Sequence, residues 1–190
     1  MQNAVWASII FSIAGSLWLV FGAYLLNILA ISVVLVLAGC GLVWAILSIR
    51  AKTDDVASAP VSAEEQKRND WASRRFNMVN IAQGVAIFLA VQVWNNLHAA
   101  EYLAPTIAVI VGLHFIALAP AFSPAGSYSK PHLAAGIAMC VIAVVTVVAA
   151  PKHSASGLYL WGVILGFANG ALLWGNAAAR LRFAGRSQRR

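Results

Sequence analysis

The sequence predicts an all-α protein, a polytopic transmembrane bundle of six helices with both termini on the cytosolic side. Three observations carry this prediction. Hydrophobic residues make up 61% of the chain and charged residues only 10%, against about 25% charged residues in soluble domains. The apolar residues fall into six runs of about 20 residues, the length that a helix needs to cross a bilayer. Finally, almost all Lys and Arg residues lie on one side of those runs.

The six runs follow one another through short connections, except after the second. Aromatic residues such as Trp6, Trp94 and Tyr102 lie near several ends, as in the interfacial belt of membrane proteins. The first run is too long for a signal-peptide core and no basic residue precedes it, so we expect it to be retained. The predicted spans are 6–26, 28–49, 76–94, 102–122, 132–150 and 158–178.

The basic residues orient the chain. Of the 13 Lys and Arg residues, all but Lys152 lie in the connection after span two, in the connection after span four or in the C-terminal tail. Because cytosolic loops carry the excess of Lys and Arg, the N-terminus is expected in the cytosol, and an even number of spans returns the C-terminus there. The predicted segments are a transmembrane hairpin (1–49), a cytosolic linker (50–75), spans three to six (76–178) and a basic cytosolic tail (179–190).

The linker changes character along its length. The stretch 53–60 is polar and too short to form a domain. Ser62 followed by Glu65 has the spacing of a capping box, and Glu64 with Arg68 is an acid-to-base pair four residues apart, which supports a helix. We therefore expect a helix that begins near Ala63 and continues into span three. It is either a partner-docking or lipid-sensing element or a solvated extension of the span.

Small residues in two spans predict close helix packing. Gly162, Gly166 and Gly170 lie four residues apart on one face of span six, so another backbone can approach that face. Span one offers a counterpart with the same spacing, in which hydroxyl groups can hydrogen-bond across helices or to their own turn. The serines are Ser8, Ser12 and Ser16. The glycine face serves either packing within the chain or a homo-oligomer interface.

Polar side chains inside the predicted spans define the candidate site. His114 is the only histidine or charged residue near the centre of a span, and polar groups at that depth are costly enough to suggest function. Two polar stripes lie in other spans, and they are Asn77, Asn80, Gln83 and Gly84 on span three and Asn169 and Asn176 on span six. His114, Asn80, Gln83 and Asn169 are predicted to line a polar cavity. In the alternative interpretation the imidazole is neutral and hydrogen-bonded, and the amides only hold helices together.

Other classes of function find no support in the sequence. There is no HExxH, GxSxG or Walker lysine motif, and therefore no sign of an enzyme. Cys40 and Cys140 lie within apolar runs without a CxxC or Cys/His cluster, so no metal or other cofactor is expected. The basic residues flank the spans instead of forming a patch on a soluble domain, which excludes nucleic acid as a partner.

Two functional hypotheses remain. The first is a small permease-like or channel-like protein with a polar intramembrane cavity around His114, completed within one chain or by a homo-oligomer. The second is a non-catalytic membrane adaptor whose basic linker and tail bind a cytosolic protein or anionic lipid. The chain resembles the many small polytopic proteins of bacterial inner membranes, which implies that location but assigns no role to any residue.

Overall fold

The structure is a computed structural model that describes residues 2–27, 29–51, 62–122 and 129–187. At 2–8, at part of 29–51 and at 179–187 it describes the backbone alone. The regular structure in these ranges is helical, apart from one isolated bridge between His153 and Tyr159. This confirms the all-α prediction. The helices are α1 (Gln2–Leu25), α2 (Leu29–Ala51), α3 (Ala63–Asn96), α4 (Leu103–Leu118), α5 (Lys130–Ala149) and α6 (Leu160–Ser187), with a 3₁₀ turn at Ala100–Tyr102 before α4.

Several described helices have the length and composition of membrane spans. Four segments qualify, and they are Ala63–Asn96, Ala100–Leu118, Lys130–Ala149 and Leu160–Ala178. A shorter apolar segment, Ile9–Leu25, covers the part of α1 whose side chains are described. These helices are compatible with a multi-pass membrane protein. The count of six spans and the cytosolic position of the termini stay predictions.

Large apolar side chains are exposed along the helices. Leu17 is 68% exposed, Trp44 74% and Val148 80%. Monomeric proteins in water rarely expose contiguous apolar patches of more than a few hundred Å². In lipid, by contrast, there is no hydrophobic penalty for an outward-facing Leu or Val. The exposed surface is therefore typical of helices that face lipid.

Two helix boundaries illustrate how local sequence fixes the ends. α3 begins at Ala63, as predicted, and the Ser62 hydroxyl accepts a hydrogen bond from the Glu65 amide at 3.2 Å. α4 ends at Leu118 instead of position 122. Pro120 explains the earlier end, because proline has no amide hydrogen to donate to a carbonyl of the preceding turn. The polar stretch 53–60 lies outside the described residues.

The chain divides into two compact units. The first comprises Met1–Ala59 and Gly162–Arg190, and the second comprises Pro60–Trp161. Helices α1, α2 and most of α6 therefore belong to the first unit, and α3, α4 and α5 to the second.

In the first unit, the backbones of α1 and α6 lie in close contact. A Cβ atom on Gly166 would lie only 2.6 Å from the Gly22 amide nitrogen, and one on Gly170 would lie 3.0 Å from the Gly15 carbonyl oxygen. Gly162 is also buried. Glycine is needed at these contacts because a side chain of any size would push the two helices apart. The glycine face of α6 thus packs within the chain, and it does so on glycines of α1.

The serines of α1 face different partners. Ser16 donates a hydrogen bond to the Ser12 carbonyl in its own helix at 2.8 Å. The indole nitrogen of Trp174 on α6 lies 3.2 Å from both the Ser12 carbonyl oxygen and the Ser16 hydroxyl oxygen. Gly39 of α2 packs against the Ser16 side chain. The Ser8 side chain lies outside the described residues.

In the second unit, α4 and α5 cross at a pair of glycines. A Cβ atom on Gly112 would lie 2.7 Å from the Gly136 carbonyl oxygen and 2.6 Å from the Cys140 sulfur. The Cys140 thiol in turn lies 3.7 Å from the Val109 carbonyl oxygen, to which it donates. Cys140 therefore fills space beside the crossing, as a small hydrophobic residue does.

Side chains of α3 hydrogen-bond to α4 near both ends of α4. The Arg75 guanidinium donates to the Ala117 carbonyl oxygen at 2.9 Å. That carbonyl lies in the last turn of α4, where backbone oxygens lack helical partners and a positive charge is favourable. Toward the other end, the Trp94 indole donates to the Thr106 hydroxyl at 2.9 Å. These two bonds hold α3 and α4 as an antiparallel pair.

The α1–α6 contact can be tested with two glycines of the same helix. We expect Gly166→Ala to destabilise the protein by about 1–3 kcal/mol, because the new methyl group meets backbone atoms that have no room to move. The matched control is Gly175→Ala, since no described residue outside its own helical turn lies within 4 Å of a Cβ at that position. The control should be neutral or slightly stabilising, because alanine favours helix. Unfolding in detergent, followed by circular dichroism, measures both; equal stability of the two variants would contradict the packing.

Candidate functional site

The four residues predicted to line the polar site lie in different units. His114 on α4 and both Asn80 and Gln83 on α3 belong to the second unit, whereas Asn169 on α6 belongs to the first. Within the second unit, His114 contacts α3 directly. The candidate site is therefore built from α3 and α4, with Asn169 as a separate buried amide.

His114 is buried against the backbone of α3 and the ring of Phe115. Its side chain is 9% exposed, and its imidazole hydrogen-bonds to the backbone of Val79 on α3. The ring of Phe115 lies edge-on, with ring centroids 5.7 Å apart. Nδ1 is buried and has no hydrogen-bond partner among the residues that the structure describes.

The protonation of His114 follows from these partners. A backbone carbonyl can only accept, so the imidazole nitrogen that faces Val79 must carry a hydrogen. In the neutral ring, Nδ1 then has a free lone pair. Burying such a group without a partner costs about 1–3 kcal/mol. The arrangement leaves one nitrogen that can take up a proton or accept a hydrogen bond from a ligand.

A second histidine lies nearby and was missed as a candidate from the sequence. His132, at the start of α5, is 2% exposed, and its Nδ1 lies 2.7 Å from the Ser129 hydroxyl. Its ring stacks on Phe122 at 4.3 Å and contacts Phe115 at 6.3 Å. Phe115 thus touches both imidazoles. The signal in the sequence was the Ser-x-x-His spacing at a helix start, which places the two side chains one turn apart.

The amide stripe of α3 is only partly covered. Asn80 and Gln83 are half-buried, whereas Asn77 is exposed. Gly84 is exposed as well, and no described residue outside its own helical turn lies within 4 Å of a Cβ built there. Asn80 follows Val79, whose backbone contacts His114, whereas Asn77 and Gly84 lie on the surface of the described chain.

The two amides predicted as a stripe on α6 differ in their surroundings. Asn169 is fully buried, and neither its amide nitrogen nor its amide oxygen has a hydrogen-bond partner within the described ranges. Asn176 is half-buried and donates to the Leu172 carbonyl of its own helix at 2.9 Å. Only Asn169 therefore has the unsatisfied polar atoms that a binding site would use.

The chemistry available to these groups is proton transfer and hydrogen bonding. Among the described residues, no three side chains of His, Cys, Asp or Glu converge in a way that could hold a metal ion. A lone imidazole and a lone amide can instead contact a small polar molecule or a proton.

The Asn169 amide can be tested by removing its polarity. We expect Asn169→Leu to stabilise the protein by about 1–3 kcal/mol, because it removes two unpaired polar atoms and keeps the number and branching of the side-chain heavy atoms. The matched control, Asn176→Leu, loses a hydrogen bond and should lower stability by about 1 kcal/mol. Unfolding in detergent measures both free energies. Destabilisation of the two variants by the same amount would show that Asn169 has a structural partner.

Comparison with protein-family models, with curated proteins and with solved structures finds no match for this chain.

Proposed function

We propose that the chain is a multi-pass protein of a bacterial inner membrane that crosses the bilayer six times, with both termini in the cytosol. Support comes from the four apolar helices of spanning length and from α1 and α2, which are 24 and 23 residues long. A helix of that length covers the hydrocarbon core, which is about 30 Å thick. The orientation is supported by the excess of Lys and Arg residues on one side of the predicted spans.

Within that membrane, the protein acts as a small permease-like or channel-like protein whose polar site is centred on His114. One observation carries this proposal: Nδ1 of His114 is buried without a partner among the described residues, in a helix whose only other polar side chain is that of Thr106. Unpaired polar groups in apolar surroundings are unfavourable, and a histidine at membrane depth is by default a candidate for function. An imidazole also takes up and releases protons near neutral pH, so protons are the first cargo to measure.

The experiment uses proteoliposomes that contain a pH-sensitive dye, with proton flux driven by a potassium gradient and valinomycin. We expect His114→Phe to lower the protein-dependent flux at least tenfold, because phenylalanine fills the space but carries no proton. His114→Gln should lower it similarly, because an amide can donate to the Val79 carbonyl but does not titrate.

The control for this experiment is His98→Asn. His98 is exposed and has a positive φ of 51°. Asparagine also adopts this backbone conformation. This variant should keep the wild-type flux. Flux in His114→Phe equal to wild type would overturn the role of His114, and wild-type flux equal to empty liposomes would overturn proton passage.

A second candidate function, a membrane adaptor, is favoured by one feature of α3. This helix has 34 residues, which corresponds to about 51 Å at 1.5 Å per residue and exceeds the hydrocarbon core by about 20 Å. Its first turns expose the charged side chains of Glu64, Lys67 and Arg68. An adaptor would present this segment and the basic tail to anionic lipid or to a cytosolic protein. The adaptor hypothesis predicts no protein-dependent proton flux in the liposome experiment.

A further inference from the structure

The connection between α5 and α6 places an ammonium group beside two aromatic rings and a carboxylate. The Lys152 nitrogen lies 3.1 Å from a carboxylate oxygen of Glu101. It also lies 4.7 Å from the centre of the Tyr102 ring and 5.5 Å from that of Trp161. Both distances are within the range of about 6 Å in which a cation is attracted to the face of a ring.

The rings that surround this ammonium are fixed by other contacts. Tyr102 stacks on Trp94 at 5.2 Å and meets Trp161 at 5.5 Å, with an angle of 61° between the last two rings. The Trp161 indole donates to the Ala150 carbonyl oxygen at 2.9 Å. The rings therefore hold their positions through contacts that do not involve Lys152.

The backbone that carries the carboxylate is fixed as well. The Tyr159 hydroxyl donates to the backbone carbonyl oxygen of Glu101. Hydrogen bonds to the side chains of Glu101 and Tyr102 raise the pKa of Lys152 above its ordinary value of 10.5. The Lys152 ammonium is therefore charged at neutral pH.

We propose that Glu101, Tyr102 and Trp161 form a binding site for a small organic ammonium ion, and that Lys152 occupies this site in the absence of ligand. Ring faces set at an angle around a cation, with a nearby carboxylate, are the features that recognise quaternary ammonium groups. The inference does not depend on the proposed passage at His114.

Lys152 can be displaced because its ammonium group and its Glu101 partner are partly exposed, although Trp161 is only 3% exposed. Its side chain is 40% exposed and that of Glu101 is 31% exposed, and ion pairs at such positions contribute little to stability. A Lys ammonium is also strongly hydrated, whereas a quaternary ammonium has no N–H group to desolvate. A quaternary ion at millimolar concentration can therefore compete for the rings.

The first test measures the release of Lys152 in the wild-type protein. The purified protein is acylated with a water-soluble N-hydroxysuccinimide ester in choline chloride or in sodium chloride of equal concentration, and modified lysines are quantified by mass spectrometry. We expect choline to increase the acylation rate of Lys152 at least threefold. Lys130, which is exposed, serves as the internal control and should react equally in both salts. Equal rates at Lys152 would overturn the proposal.

The second test measures binding of radiolabelled choline by equilibrium dialysis. Lys152→Met removes the competing ammonium and keeps an apolar stem, so we expect choline binding at least tenfold tighter than in wild type. Adding Tyr102→Leu to this variant should abolish binding, because it removes the nearer ring. Absence of binding to Lys152→Met, or binding that survives Tyr102→Leu, would overturn the site. If Lys152→Met does not fold, the acylation rates of the wild-type protein alone determine whether the proposal stands.

Discussion

The structure depends on the cost of leaving a polar group unpaired where water cannot reach it. In an apolar solvent a backbone has to pair its own N–H and C=O groups, which α-helices do along their length but not at their ends. Side chains pair with several of these ends. Ser62 accepts from the first turn of α3, Arg75 donates to the last turn of α4, and Trp161 donates to the carbonyl that follows α5.

Two buried groups break this rule, and the proposed function rests on one of them. His114 and Asn169 each have polar atoms that no described residue pairs, although the surrounding packing is tight enough for glycines to touch backbone. Tight packing gives a side chain little freedom to turn and find a partner. An unpaired imidazole nitrogen in such surroundings is either a stability defect or a group held for a ligand or a proton. The proposed function takes the second interpretation, and the flux measurements address it directly.

The sequence predicted what depends on neighbouring residues and missed what depends on distant ones. The start of α3 was predictable because Ser62 and Glu65 lie three residues apart. The glycine face of α6 was predictable from spacing, but its partners on α1 were not, because spacing identifies a small face without saying which face of the neighbour it meets. The end of α4 was missed because the apolar run continues past Pro120. The ring cluster around Lys152 was missed for a different reason: its members come from the α3–α4 connection, the α5–α6 connection and the first turn of α6, which only the fold brings together.

We propose that the chain crosses a membrane six times with both termini in the cytosol. Substituted-cysteine labelling in intact cells tests it most directly, in a background whose native cysteines are replaced by alanine. The introduced cysteines are placed at Asn27, Ala99, Ser156, Gln66 and Ser187. An impermeant maleimide should label the first three positions in intact cells and the last two only after the membrane is permeabilised. Labelling of Gln66 or Ser187 in intact cells, or protection of any of the first three, would contradict the account.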